Sequence, residues 1–160
     1  MIIKDDNITA INIAGYFLTK KELTPKKLQK LVYYAYAWFI ALNNDSAEHI
    51  DNVLFTEQPQ AWVHGPVFPS LFREYRELGW HEIPRIDDEI VFENDDVQAL
   101  LDAIWNKFGK YSADQLEAMT HSEQLWVEAR RGYKLLDASD KTLNLKTIFA
   151  YYNGLLQKAE

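Results

Sequence analysis

Any chemistry in this chain would depend on its few histidines and on the carboxylates that could join them. The sequence has four histidines and no cysteine, which excludes thiol nucleophiles and cysteine-based metal sites. No two histidines have the i,i+4 spacing that helical zinc sites use. His64, His121 and Glu123 could still converge in space, and such a cluster would suit a small metal-dependent hydrolase. We keep this reaction class as an alternative hypothesis.

Ordinary structural roles also account for these residues, and other catalytic signatures are missing. Thr120 and Glu123 have the three-residue spacing of a capping box, which would open a helix. The chain has no glycine-rich phosphate loop and no serine in a nucleophile elbow. We therefore predict a protein that is not an enzyme, with no catalytic residue, no metal and no cofactor.

The charge of the chain indicates what kind of partner it can attract. Its formal net charge is −7, so a general affinity for the phosphate backbone of nucleic acids is not expected. Lysines cluster around the start of the central helix, at Lys20, Lys21, Lys26, Lys27 and Lys30. This cluster is either a solvated helix end or a docking patch for an acidic partner. A DNA-binding autoregulator that uses the lysine-bordered helix is a weaker third hypothesis.

The stretch from residue 24 to residue 42 organises the predicted fold. Thr24 is a favourable N-cap, and Pro25 suits the first helical position. Every residue from 31 to 42 is apolar or aromatic, and a helix that is apolar on all sides must be enclosed. The run is shorter than the roughly 20 residues that span a bilayer. We predict the central buried helix of a soluble domain, with no membrane partner.

The remaining pattern predicts a mainly α-helical fold in a single domain over residues 1–160. Capping residues and apolar spacing indicate a compact bundle of about six helices around the central one. Two short β-prone runs, 53–55 and 61–63, are expected to pair as a small hairpin inserted after the central helix. The N-terminal residues lack the basic and apolar segments of a signal peptide, so a cytoplasmic protein is expected.

Three stretches of the sequence carry a recognisable set of motifs. They are KLQKLVYYA at 27–35, AWVHGPVFPSLF at 61–72 and THSEQLW at 120–126. In this order they resemble the motifs of the SocA-like antitoxin family, the Panacea domain of phage-associated GepA-like proteins. The family usually has proline where this chain has Leu125, and commonly has tyrosine where it has His64 and Phe72.

The resemblance implies an antitoxin that is encoded beside a cognate toxin, binds that toxin directly and blocks it. For some members it also implies an adaptor role, in which the antitoxin delivers the toxin to a cellular protease. It implies no catalytic residue and no cofactor. Whether the protein forms a homo-oligomer is left open.

The motifs supply two sets of candidate residues. Those expected at the partner-binding surface are Lys26, Lys27, Lys30, His64, Val67, Phe68, Ser70, His121 and Glu123. Those expected to hold the fold are Leu28, Gln29, Leu31, Tyr33, Trp62, Gly65, Pro66, Pro69, Phe72, Thr120 and Trp126. The motifs could equally serve the fold alone, and residues 80–93 could set the choice of partner.

Overall fold

A computed structural model describes residues 1–134 and 136–159 of the chain. The described residues contain seven α-helices and four short strands, which confirms the mainly α-helical prediction of a bundle with a small β element. The helices are α1 (Ala10–Leu18), α2 (Pro25–Leu42), α3 (Pro69–Tyr75), α4 (Asp95–Phe108), α5 (Ala113–His121), α6 (Gln124–Ala129) and α7 (Leu145–Ala159). The strands are β1 (Ile2–Ile3), β2 (Gln60–Trp62), β3 (Gly65–Val67) and β4 (Val91–Phe92).

Helix α2 is the central buried helix that the sequence predicts. The Thr24 hydroxyl accepts a hydrogen bond from the Lys27 backbone N–H at 3.2 Å, and Pro25 occupies the first turn. Twelve of the 18 residues of α2 are buried, in contact with α1, α3, α4, α5, α7 and β3. Leu42 differs from the prediction because it ends the helix with its side chain 54% exposed. Among the described residues, no helix combines the length and the apolar character needed to cross a bilayer.

The hairpin follows α2 as expected, but its predicted pairing is wrong. Strand β2 pairs antiparallel with β3, so the second motif itself supplies the partner strand. The run 53–55 is not a strand, because Leu54 and Phe55 pack into the core as an irregular segment. The turn between the strands contains only Val63 and His64, and Gly65 follows it with φ at 107°. This backbone angle favours glycine.

The structure also contains a second pair of strands, whose pairing the sequence does not predict. Strand β1 at the N-terminus pairs in parallel with β4, with Ile2 opposite Val91 and Ile3 opposite Phe92. The charged N-terminal ammonium of Met1 also donates to the Glu89 carbonyl at 2.8 Å. These contacts fasten the first residues beside the start of α4.

The predicted capping box of the third motif is also wrong. Thr120 lies inside α5, and its hydroxyl donates to the Glu117 carbonyl at 3.0 Å. Glu123 is the N-cap of α6 but makes no side-chain capping bond. Its carboxylate instead accepts hydrogen bonds from Tyr34 and Tyr152. The motif therefore joins two short helices to the core, and does not open one long helix.

Candidate functional site

The hairpin rests on a close contact between the first and second motifs. The Lys30 side chain is buried and its Nζ donates to the Pro66 carbonyl at 3.1 Å. A Cβ at position 65 would lie 2.8 Å from Lys30 Cε and 2.9 Å from Thr120 Oγ1. Only glycine fits this approach without displacing its neighbours. Helices α2 and α5 thus fix the hairpin between them.

Burial has a marked effect on the Lys30 amine. Desolvation lowers its pKa to about 7, and the charge of Lys26 adds to this, while Glu117 acts in the opposite direction. A buried ammonium without an adjacent carboxylate is costly, so the neutral amine is favoured. Near neutral pH, Lys30 therefore gives up much of its positive charge inside the protein.

Gln29 connects α2 to the residue that precedes α3. Its Nε2 donates to the Phe68 carbonyl at 3.1 Å, and its Oε1 accepts from the Phe68 N–H at 2.9 Å. Both residues are buried, and the Phe68 ring makes edge contacts with Tyr36 and Phe55. Gln29 Oε1 thus satisfies the buried Phe68 N–H, while the Phe68 carbonyl also accepts from the backbone N–H groups of Leu71 and Phe72 at the start of α3.

Helix α6 holds the other side of the hairpin. The Trp126 indole N–H donates to the Trp62 carbonyl at 3.3 Å, and Arg130 Nη1 donates to the Ala61 carbonyl at 3.0 Å. The His121 ring stacks on Trp126 with a centroid separation of 4.0 Å. All three motifs therefore meet at the hairpin, where Gln29, Lys30 and Trp126 bond to its backbone or to the residue that follows it.

Glu123 points away from the hairpin, into a group of tyrosines. It is 6% exposed and accepts from the Tyr152 hydroxyl at 2.6 Å and from the Tyr34 hydroxyl at 3.2 Å. Burial raises the pKa of Glu123 to about 7, against the opposing effect of hydrogen bonds from Tyr152, Tyr34 and Tyr33. This carboxyl joins α2, α6 and α7 inside the core.

The predicted metal-site residues are divided between different surroundings. Within the described residues, no group of three or more histidine and acidic side chains could hold a metal ion. His64 Nδ1 lies 2.5 Å from Glu117 Oε1 at the surface, whereas Glu123 faces the tyrosines. The hypothesis of a metal site formed by His64, His121 and Glu123 is therefore corrected, because the fold gives each of the three residues a separate role.

A small cluster of charges lies beside the hairpin turn. Lys26 Nζ contacts Asp114 at 2.9 Å and Glu117 at 3.1 Å, and His64 contacts the other oxygen of Glu117. Burial alone would raise the pKa of Glu117, but hydrogen bonds from Lys26 and His64 outweigh it and hold the pKa below its ordinary value. Glu117 remains an acceptor that fixes the turn to α5.

An open groove with a volume of about 840 Å³ lies between the start of α2, the hairpin and α3. Its apolar wall is formed by Trp62, Val63, Val67, Leu71 and Phe72, and its polar positions include Lys26, His64, Arg76 and Asp140. Phe72 is 43% exposed and meets Trp62 edge to face at 4.9 Å. Large aromatic side chains that stay accessible in a groove are typical anchors for a partner.

The structure separates the residues expected at the partner surface into two groups. Lys26, Lys27, His64, Ser70 and His121 are exposed or partly exposed, whereas Lys30, Val67, Phe68 and Glu123 are buried. The buried side chains of Lys30, Phe68 and Glu123 make contacts inside the protein, and Lys30 also lines the groove. Val67 lines the groove floor.

The residues expected to hold the fold differ in burial. Phe72 is exposed in the groove. The buried ones are Leu28, Gln29, Leu31, Tyr33, Gly65, Pro66, Thr120 and Trp126, and the partly exposed ones are Trp62 and Pro69.

Several functional contacts were missed from the sequence. Glu117 lies three residues before Thr120, so helical spacing could have placed it beside the third motif. Glu57 accepts from the Ser70 backbone and hydroxyl, and Arg76 lines the groove. No local pattern indicates either of these two, since both depend on how distant segments pack.

The sequence model of one protein family, described as antitoxin SocA-like, Panacea domain, matches residues 28–127. This range contains all but the first residue of the motif segment 27–35, the whole hairpin and the third motif. No curated protein and no solved structure shows a significant match to the chain.

Proposed function

The chain belongs to the SocA-like antitoxin family with the Panacea domain, and from this membership we propose that it neutralises a cognate toxin by binding it directly. An antitoxin role in general follows from the family. The finer proposal is that the toxin inserts an apolar segment into the groove between α2, the hairpin and α3.

The single observation that carries this proposal is the accessible aromatic pair in the groove. The rings of Trp62 and Phe72 contact each other edge to face with their centroids 4.9 Å apart, and Phe72 is 43% exposed. The buried side chains of Gln29 and Lys30, which also line the groove, bond to the backbone of Phe68 and Pro66 and so fix the hairpin beside it. An apolar toxin segment would cover the two rings and exclude water from them.

The charge of the antitoxin supports the same proposal at long range. A net charge of −7 attracts a basic toxin before contact, which speeds association and suppresses acidic competitors. Lys26, His64 and Arg76 at the groove would then add polar contacts around the apolar centre. Residues 80–93 begin next to the groove residue Gly79 and remain our proposed source of partner choice.

Residues 1–160 are proposed to act as one domain. Buried residues from Ile3 in β1 to Tyr152 in α7 belong to one hydrophobic cluster, so the ends of the chain share a core with the motifs. A fragment limited to residues 28–127 would lose α1 and α7, both of which pack on α2.

Co-expression of the full chain with the product of the neighbouring gene tests the proposal. We expect the neighbouring product to arrest growth alone, the pair to restore growth, and the two proteins to copurify. Absence of both rescue and complex would contradict direct neutralisation. The half-life of the toxin during a block of protein synthesis separates the two modes, because an adaptor to a protease would shorten it and simple inhibition would not.

A further inference from the structure

Five lysines with exposed or partly exposed side chains occur where three helices begin or end. They follow α1, open α2 and close α4, and we call them the lysine face: Lys20, Lys21, Lys27, Lys107 and Lys110. Without these five lysines, the chain has 12 basic and 24 acidic residues, which gives the rest of the chain a net charge of −12. The lysine face is therefore a local exception on a strongly acidic protein.

Contacts around one tryptophan bring these helix ends together. Lys27 Nζ donates to the Gly109 carbonyl at 2.6 Å and lies 6.0 Å from the centre of the Trp105 ring. The Trp105 ring is 6.4 Å from the ring of Phe17 in α1. Burial lowers the pKa of Lys27, the nearby charge of Lys21 lowers it further, and Glu82 acts in the opposite direction without forming an ion pair with Lys27. The lysines of separate segments thus act on one another.

The charges of the lysine face are not used by ion pairs. None of its five ammonium groups forms an ion pair with a carboxylate in the part of the chain that the structure describes. Neighbouring cations differ, since Lys26 pairs with Asp114 and Glu117 and Arg85 pairs with Asp87. The C-terminal ends of α1 and α4 favour the lysines beside them through the helix dipole, which does not neutralise their charge, so it is available to a partner.

The aromatic rings beneath the lysine face are unsuited to stacking with bases, because Tyr16 and Phe108 are buried. Lysine ammonium groups lie over them, at 4.9 Å for Lys20 on Tyr16, 5.5 Å for Lys107 on Phe108 and 5.4 Å for Lys110 on Tyr111. Proteins that bind single-stranded nucleic acid use open ring faces as platforms. A long polyanion would also extend from the lysine face onto acidic surface and be repelled there.

We infer that the lysine face is a docking surface for a short acidic segment of a protein partner. Carboxylates of such a segment reach several ammonium groups at once, while its length keeps it off the surrounding acidic surface. The attraction raises the association rate and weakens as salt is added. This surface is separate from the groove, because none of its lysines lines the groove.

Binding of a fluorescein-labelled decaglutamate peptide to the full chain, followed by fluorescence anisotropy at low and at high salt, tests the inference. The variant K20Q/K107Q/K110Q should bind the peptide about tenfold more weakly than the unchanged protein, since it loses three of the five charges. The control variant K141Q/K146Q/K158Q changes three exposed lysines elsewhere and should bind within about twofold of the unchanged protein. Circular dichroism verifies that both variants are folded.

Three results would overturn the inference. The first is an absence of specific binding. Either decaglutamate does not bind at all, or both variants lose affinity equally, and the equal loss would reveal only a net-charge effect. The second is tighter binding of a 20-nucleotide single strand or duplex, which would indicate a nucleic-acid surface. The third is salt-sensitive self-association that disappears in K20Q/K107Q/K110Q, which would assign the lysine face to a second copy of this chain.

Discussion

A Cβ on residue 65 would lie 2.8 Å from Cε of Lys30, a residue of the central helix. Gly65 also has φ at 107°, an angle that side chains rarely adopt. This relationship joins the first two family motifs at one point of contact. It explains why the second motif needs glycine at this position and why the hairpin is fixed to α2.

We predict that Gly65→Ala destabilises the protein. The new methyl group combines backbone strain with a collision against Lys30 and Thr120, so a loss of about 2–4 kcal/mol in the free energy of unfolding is expected. Urea denaturation followed by circular dichroism measures the loss. Gly154→Ala in α7 is the matched control, because a Cβ there meets nothing within 4 Å. That control should be neutral or slightly stabilising.

We predict that Gln29→Leu destabilises the protein without changing side-chain volume greatly. The leucine leaves the buried Phe68 N–H without its partner, at an expected cost of about 1–3 kcal/mol, while the Phe68 carbonyl keeps its bonds from the Leu71 and Phe72 N–H groups. Urea denaturation again measures the difference. Gln124→Leu changes an exposed residue of α6 and should alter stability by less than about 0.5 kcal/mol. Equal effects of the two substitutions would contradict the assigned role of Gln29.

We predict that the Glu123 carboxyl makes stability fall as pH rises. Burial raises its folded-state pKa to about 7 from an ordinary value of 4.5, so the folded protein binds the extra proton between these values. The stabilising contribution is complete below the lower value and is lost as pH rises through the upper one. Between pH 5 and pH 8 the contribution should fall by about 2–3 kcal/mol.

Glu123→Gln isolates this carboxyl from the other titrating groups. Glutamine cannot ionise, and it keeps one acceptor oxygen for either the Tyr34 or the Tyr152 hydroxyl, which donate to separate oxygens of Glu123. The difference in unfolding free energy between the two proteins should therefore move in favour of the variant as pH rises from 5 to 8. Parallel stability curves for both proteins would show that Glu123 does not titrate in this range.

The sequence is sufficient for features that local pattern determines. Thr24, Pro25 and the apolar run that follows predict the central helix correctly, because capping and enclosure depend on neighbouring residues. Asn94 is likewise a favourable N-cap by residue type, and it caps α4. The groove and its aromatic pair cannot be predicted from local pattern, since Trp62 and Phe72 come together only when the hairpin folds against α3.

Features that depend on distant segments were assigned incorrectly or missed. Thr120 and Glu123 have capping-box spacing, but the tyrosines of α2 and α7 draw the Glu123 carboxyl into the core. Lys30 looks like a surface lysine by type, although the close approach of Gly65 encloses it. Strand β1 has only two residues, so its pairing with β4 leaves no periodic signal.

The central claim is that the groove binds the toxin, and the affinity of Phe72→Glu for the toxin tests it most directly. Isothermal titration of the purified neighbouring-gene product should show about 100-fold weaker binding, because the substitution places a carboxylate at the apolar anchor. Leu42→Glu changes an equally accessible apolar residue outside the groove and should bind within about twofold of the unchanged protein. Unchanged binding by Phe72→Glu, with its fold intact, would contradict the account.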